Sequence, residues 1–448
     1  MKGKKVSVED LLAKAKQPAI DAMRLHPFYK GKLAVTPKCR IKDFNDFAIW
    51  YTPGVAEPCK DIHKNFDKVF EHTNKGNFVA VVTDGTRVLG LGDIGPHAAI
   101  PVMEGKGILF KYLGGVDAFP ISLATTKEED IIQACKWIEP VFGGINLEDI
   151  AKPKCFRILD TLRKEMAIPV WHDDQQGTAA VTYAGLINAL KVVGKKKADV
   201  TIAMIGTGAA NVAIARVMRT GGFPAENLIM VDTKGILYKG RPDLRPGEDD
   251  EKIKLSLVTN KEMRKGGIPE AMKGADVVIG LSKPGPGTIK PEWVSAMAKD
   301  SIVFVCANPI PEIWPWEAEE AGAKIVATGR SDFANQVNNS LGFPGIFRGA
   351  LDVYAKTITD EMCIAAAEEL AKCAEDKGLR EDYIIPLMSE WEVYPREAMA
   401  VGQKAIEQGV ARIKLTKQES LAKAEAIIKK AREETHVLME KGLIAHAD

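Results

Sequence analysis

A run of β-branched and apolar residues, Val200–Ile205 (VTIAMI), meets the turn Gly206-Thr207-Gly208-Ala209-Ala210-Asn211, which opens a helical pattern reaching about Met218. A second apolar run, Leu228–Val231, ends on Asp232, 24 residues beyond Gly208. Two buried strands joined by a helix pair in parallel through a right-handed crossover, so this stretch commits the chain to an open α/β sheet. The glycines let the backbone turn tightly at a helix N-terminus, where a dinucleotide's diphosphate binds. The acid after the second strand suits a ribose hydroxyl. Asn211 stands where a third glycine is usual, so the strand–turn–helix setting carries the assignment more than the glycines do. Short apolar runs at Asp276–Leu281, Ile302–Cys306 and Lys324–Ala327 extend the unit into a doubly wound sheet. Asn308, in the loop after Cys306, falls at a strand's carboxyl end, where such sheets bind ligands.

This sheet leaves a long stretch upstream, and 448 residues are enough for two or three domains. A net charge of +1 gives no global field for nucleic acid or an anionic membrane. The seven cysteines are scattered without a CxxC pair, which points to reduced thiols rather than a disulfide frame or zinc site. Met1–Lys5 is basic, but Val6–Lys16 is amphipathic, and no run approaches a membrane span. A soluble cytoplasmic protein is expected, with residues 6–26 helical and broken near Pro18.

The upstream half carries paired acids. Asn77–Asp84 reads as a strand ending in the turn Asp84-Gly85-Thr86, followed by Arg87, a candidate carboxylate partner. A glycine-dense stretch follows, with Lys106 between two glycines; desolvation there would lower its pKa toward that of a general base, although a solvated loop lysine is the simpler reading. Tyr51 sits just before the turn Thr52-Pro53-Gly54, where packing is the ordinary role. Lys127–Phe142 and Cys155–Met166 read as helices. Glu148–Asp149 and Asp173–Asp174 are separated by about 25 residues, the length of one strand–helix–strand excursion. Both pairs can therefore lie at one sheet edge, and hard cations such as Mg²⁺ or Mn²⁺ take carboxylate oxygens. His172 reads as a hydrogen-bonding neighbour of these acids.

Downstream, Asn335, Asn338 and Asn339 form an amide cluster ahead of a helix over 348–357, and loop asparagines are usually turn formers. Thr359–Lys377 is an amphipathic helix. Residues 397–440 are largely helical and Lys/Glu-rich, a packing or dimer-forming tail with a solvated face.

Taken together, IWYTPGVAEPC, VVTDGTRVLGLGDIG, PVMEGKGILFK, INLEDI, WHDDQQGTAAV, IGTGAAN, CANPIPE and QVNNSLGFPGIFRGAL resemble the malic enzymes of the short microbial form, from about residue 20 to about 395. The resemblance implies an N-terminal α/β substrate and metal domain (1–175), a Rossmann-like NAD(P) domain (176–395) and a helical extension (396–448). It implies oxidative decarboxylation of L-malate to pyruvate and CO₂ by a homodimer using NAD or NADP and Mg²⁺ or Mn²⁺, with decarboxylation of oxaloacetate as a further activity. Position by position, Tyr51 matches the general acid, Lys106 the general base, and Glu148, Asp149 and Asp174 the metal ligands. Asp173 matches a supporting acid. Gly206, Thr207, Gly208, Ala209 and Ala210 match the diphosphate turn. Asn308 and Asn338, with the adjoining Asn339, match amides that contact substrate or nicotinamide. Arg87 falls where some members carry a malate-binding arginine. Asp232 favours NAD, whereas Lys234, Lys239 and Arg241 offer cations for a 2′-phosphate. Two rival readings are a hydroxy-acid or amino-acid dehydrogenase that does not decarboxylate, and a nucleotide-sensing module with a decayed site.

Overall fold

The computed structural model describes residues 8–307 and 309–447. Among them are two sheets. The first is built from β1 (Phe78–Thr83), β2 (Asp117–Ser122), β3 (Gly144–Leu147) and β4 (Val170–His172), in the order β2-β1-β3-β4 with every pair parallel. The helices Gly95–Gly114, Glu128–Ile138 and Lys154–Glu165 make its three crossovers. The second contains β5 (Ile202–Ile205), β6 (Leu228–Asp232), β7 (Gly235–Ile236), β8 (Val277–Gly280), β9 (Ser301–Val305) and β10 (Ala323–Thr328), in the order β10-β9-β8-β5-β6-β7. Only β7 runs antiparallel, as a short return from β6. The strand order reverses at β5, so the glycine turn lies at the switch point where such sheets open a ligand crevice.

Strand periodicity explains the layering. Ile202 and Met204 face one core while Ala203 and Ile205 face another, and Val79 and Val81 divide from Ala80 and Val82 in the same way. Ile202 and Met204 share their core with Val79 and Val81, so one apolar interior runs from sheet to sheet. Its centre is the helix Thr178–Val193, buried at every position from Ala179 to Leu190. A helix that is apolar on all sides can only be stable when it is covered on all sides. The helices Ala209–Thr220 and Asp360–Asp376 pack against it.

Three expectations change. The first helix, Val8–Tyr29, runs through Pro18 without a break. The glycine-dense stretch is mostly helix: Gly95–Gly114 begins with proline in its first turn and stops at Gly115, whose φ of 63° is the left-handed cap. Gly107 serves close packing there, since a Cβ would lie 2.6 Å from Leu33 Cδ1. The helix expected over 348–357 runs Phe343–Asp352.

The C-terminal helices return to the first sheet. Phe343–Asp352, Val393–Glu407 and Lys417–Glu440 pack on one another and on Gly95–Gly114. Phe110 meets the rings of Phe343 and Phe347 at 4.6 and 5.2 Å, and Ile428 of the last helix is buried with Leu113 and Tyr394. The tail is therefore a packing element of this chain. No helix among the described residues is long and apolar enough to cross a membrane.

Candidate active site

β3 and β4 are parallel neighbours with Leu147 opposite His172, so the residues that follow emerge at one edge. Those residues are the two acidic pairs. Glu148, Asp149 and Asp174 each offer an oxygen within 4.8 Å of the others. Asp149 holds a left-handed φ of 54°, a strained conformation fixed from both sides. Its N–H donates to Asp174 Oδ2 at 3.0 Å, and its carbonyl accepts from the Arg87 N–H at 2.9 Å. Asp149 Oδ2 is buried without a hydrogen-bond partner among the described residues. An orphaned carboxylate oxygen beside two further acids is a donor set that suits a hard divalent cation.

Asp173 is placed differently from Asp174. It is fully buried, accepts from Trp171 Nε1 at 3.0 Å and from Lys106 Nζ at 2.7 Å, and lies in the π-turn Asp173–Gly177. A Cβ on Gly177 would come within 2.0 Å of Asp173 Oδ1, so glycine is required for that packing. Lys106 also meets Glu148 Oε1 at 3.0 Å and lies 4.4 Å from the centre of the Phe343 ring. Glu148 accepts from Asn146 Nδ2 at 2.8 Å. Lys106 is thus a buried helix residue rather than a solvated loop lysine.

The electrostatics correct one expectation. Burial alone would lower the Lys106 pKa, but Asp173 and Glu148, with Asp174 beyond them, outweigh it and hold the ammonium charged. Burial and then mutual repulsion push the acids the other way: Glu148 rises well above the ordinary carboxylate range, and Asp149 rises to about 7, chiefly through burial and the Asp174 charge. Asp173 is also raised by burial, against the opposing pull of Lys106. His172 is not the hydrogen-bonding neighbour expected: it is buried, among the described residues neither ring nitrogen is hydrogen-bonded, burial lowers its pKa, and its Nδ1 lies 3.7 Å from Asp174 Oδ2.

Several supporting residues went unnoticed in the sequence. Asp84 is fully buried and paired with Lys154, while the Thr86 hydroxyl accepts from the Ala151 N–H at 3.0 Å. The Asp84-Gly85-Thr86 turn thereby clamps the loop carrying Asp149. Its spacing was visible, but its partner was not. Trp171, Asn146 and Phe343 had no local signal.

Other expected residues lie farther out. Tyr51 is 71% exposed, and among the described residues no hydrogen bond ties its hydroxyl to the cluster. Arg87 touches the site through its backbone N–H, and its guanidinium donates to the Leu89 carbonyl at 3.4 Å. Asn338 caps the short turn Asn339–Leu341 by accepting from the Ser340 N–H at 2.9 Å, and Asn339 approaches Gly177. Asn335 is a buried staple, donating to the carbonyls of Val326 and Glu381 at 3.0 and 2.8 Å. Asn308 lies outside the described residues.

At the second sheet, Gly206 has a φ of 102°, and Thr207 and Gly208 lead directly into the helix Ala209–Thr220, which starts at Ala209-Ala210. Asn211, in place of the third glycine, donates to the carbonyls of Ile205 and Gly206 at 3.0 and 2.9 Å and so stitches the turn to its strand. This helix packs on the Asp173–Gly177 turn, which brings the two sites together. Asp232 ends β6 but is already held by Arg241, at 2.9 and 2.5 Å, and by Lys252 at 3.2 Å. Arg241 also donates through Nη2 to Asp243 Oδ2 at 3.2 Å and through Nη1 to the Gly235 carbonyl at 3.1 Å, and Lys234 pairs with Asp243 at 3.3 Å. Arg241 is thus committed within the protein and not free for a 2′-phosphate.

A Rossmann-like sheet whose glycine turn faces a carboxylate cluster on a second sheet defines a nicotinamide-dependent oxidoreductase. The chain belongs to the malic enzyme family: residues 30–133 match the malic enzyme N-terminal domain and residues 175–406 the malic enzyme NAD-binding domain. It is 51% identical to the bifunctional malic/malolactic enzyme of Bacillus subtilis, over 89% of this chain and 96% of that protein. It is 48% identical to the NAD-dependent malic enzyme of Geobacillus stearothermophilus, over 85% of this chain and 78% of that protein. It is 42% identical to the NADP-dependent malic enzyme of Halomonas elongata, over 85% and 92%. The crystal structure of Entamoeba histolytica malic enzyme superposes with a TM-score of 0.95 at 46% identity, covering 100% of this chain and 93% of that one. That of the Pyrococcus horikoshii malic enzyme gives 0.87 at 50% identity, covering 93% and 100%.

Proposed function

We propose that the protein oxidises L-malate at C2 with NAD(P) and releases CO₂ to give pyruvate, in a cytoplasmic homodimer. The observation that carries this reading is Lys106, buried between Asp173 and Glu148 at the edge of a three-carboxylate cluster whose neighbouring turn, Asp173–Gly177, packs against the helix Ala209–Thr220. Glu148, Asp149 and Asp174 would hold Mg²⁺ or Mn²⁺. Such a cation would polarise the substrate's C2 oxygen, stabilise negative charge that develops there, and offset the carboxylates that keep Lys106 protonated.

The chain's own residues then have distinct tasks. Lys106 in its neutral amine form, which the charge of a bound cation would favour, would accept the C2 hydroxyl proton as malate gives up its C2 hydride to the coenzyme. Asp173, fixed by Trp171, aims the Lys106 ammonium and keeps it in place. Oxaloacetate is a β-keto acid, so loss of its C4 carboxyl as CO₂ leaves enolpyruvate. Tyr51 donates the proton at C3, and solvent access at this exposed residue supplies its replacement. The same sequence run from added oxaloacetate gives the decarboxylase activity. Asn308, Asn338 and Asn339, with Arg87, are assigned to substrate and nicotinamide contacts, and Asp232 to the coenzyme ribose. The exposed apolar residues Ile41, Phe44, Phe47, Ile49, Trp50 and Phe66 supply the face for the second subunit.

The test separates the two proton transfers. Tyr51→Phe should retain reduction of oxaloacetate to malate by NAD(P)H while losing pyruvate formation from malate by roughly 100-fold or more. Equal loss of both activities removes Tyr51 from the protonation step. Absence of CO₂ from wild-type turnover of malate would support a simple dehydrogenase instead.

A further inference from the structure

Lys152 belongs to the loop between β3 and the helix Lys154–Glu165, yet its ammonium reaches the other sheet. It donates to the carbonyl of Thr207, inside the glycine turn, at 3.3 Å. Burial acts most strongly on it, followed by the charges of Lys252, Asp232, Cys155 and Arg87. The cations that hold Asp232 have carboxylates of their own: Arg241 bonds Asp232 and Asp243, and Lys252 meets Asp232 at 3.2 Å and Asp249 at 2.8 Å. Among the described residues Lys152 forms no ion pair. The residue is exposed although its ammonium is partly buried at Thr207, so a ligand can reach it from solvent.

An ammonium held only by a carbonyl, with a second ammonium acting on it, gains most from an anion. The turn it touches is where a coenzyme diphosphate would rest on the N–H groups that open the helix Ala209–Thr220. We propose that Lys152 binds the coenzyme diphosphate, its ammonium exchanging the Thr207 carbonyl for a phosphate oxygen. This rests on the glycine turn being the coenzyme site. The contact ties the loop that bears Asp149 to the bound nucleotide, so the first sheet takes part in holding a ligand of the second.

The test is fluorescence titration of the full-length protein with NADH and with NADPH, without malate or metal, across a series of salt concentrations. Lys152→Ala should weaken both nucleotides alike by roughly tenfold, since they share the diphosphate, and flatten the salt dependence. Lys152→Arg should retain most of the affinity, and Mn²⁺ binding should be unchanged in both variants. Unchanged nucleotide affinity in Lys152→Ala overturns the proposal. Loss confined to NADPH overturns it in favour of a 2′-phosphate contact. Equal loss in Lys152→Ala and Lys152→Arg with a lowered Tm makes the residue structural. Wild-type protein that binds neither nucleotide overturns the coenzyme site as well, which an indifferent Lys152→Ala would not.

Discussion

The two sheets treat the acids at their carboxyl ends in opposite ways. Asp232, after β6, is saturated by Arg241 and Lys252, and despite burial these bonds hold its pKa below the usual carboxylate range. Glu148 and Asp149, after β3, share one lysine among several acids, and burial with mutual repulsion raises both. One edge is electrically complete before any ligand arrives, and the other is short of positive charge. A site of the first kind presents a fixed acceptor to a ribose hydroxyl. A site of the second kind draws in a cation and gains stability from it.

The largest effect should come from breaking the charge deficit. Asp149→Asn removes one oxygen donor and part of the repulsion, so Mn²⁺ affinity measured by electron paramagnetic resonance should fall by more than about 100-fold. The protein without metal should at the same time become no less stable, because a neutral amide replaces a buried acid whose pKa burial has raised. Retained Mn²⁺ affinity would remove Asp149 from the ligand set. A large loss of metal-free stability would show that the cluster is held together by this carboxylate instead of strained by it.

A smaller effect is expected at the saturated edge, with the opposite sign for stability. Arg241→Met leaves Asp232 to Lys252 alone and should cost roughly 1.5–3 kcal/mol, read from urea unfolding. The double change Arg241→Met with Asp232→Asn should recover part of that loss. Full additivity of the two single changes would mean that the pair is not coupled, and the contrast between the edges would fail.

How much of this contrast the sequence contains differs by element. The strands were legible because parallel strands buried on both faces are continuous apolar runs, and VTIAMI, LIMV and NFVAVVT admit little else. The acid pairs were legible because their spacing equals one crossover. The setting of Lys106 was hidden: Gly105 and Gly107 flank it, and glycine at a helix-packing contact looks the same in sequence as glycine in a loop. Its aromatic neighbour Phe343 arrives from the far end of the chain, after the C-terminal helices fold back. The use of Arg241 on Asp232 was equally out of reach, since spacing shows which cations are near an acid and not which are already paired. Tyr51 was found by motif alone, and its exposure is a property of the surface around it.

The last expected effect concerns a cation whose hydrogen bonds go to carbonyls, which tests whether burial chiefly sets a pKa here. Lys75 is 2% exposed, donates to the carbonyls of Glu139 and Phe142, and lies 5.5 Å from the centre of the Phe70 ring. Burial brings its pKa down to about 8, with Glu139 opposing and Arg412 assisting. In the unfolded chain it returns to the ordinary lysine value near 10.5. Between about pH 8 and 10.5 the unfolded state therefore binds more protons, and this residue makes stability rise with pH. Lys75→Met should lose stability overall, because two carbonyls lose their donor, but the pH-dependent gain over that window should vanish. Urea unfolding of both proteins at pH 7.5, 9 and 10 measures it, with the difference between them widening as pH rises. Parallel curves would mean that Lys75 stays charged in the fold, and that its two carbonyls and the Phe70 ring compensate for burial as fully as carboxylates do at Lys106.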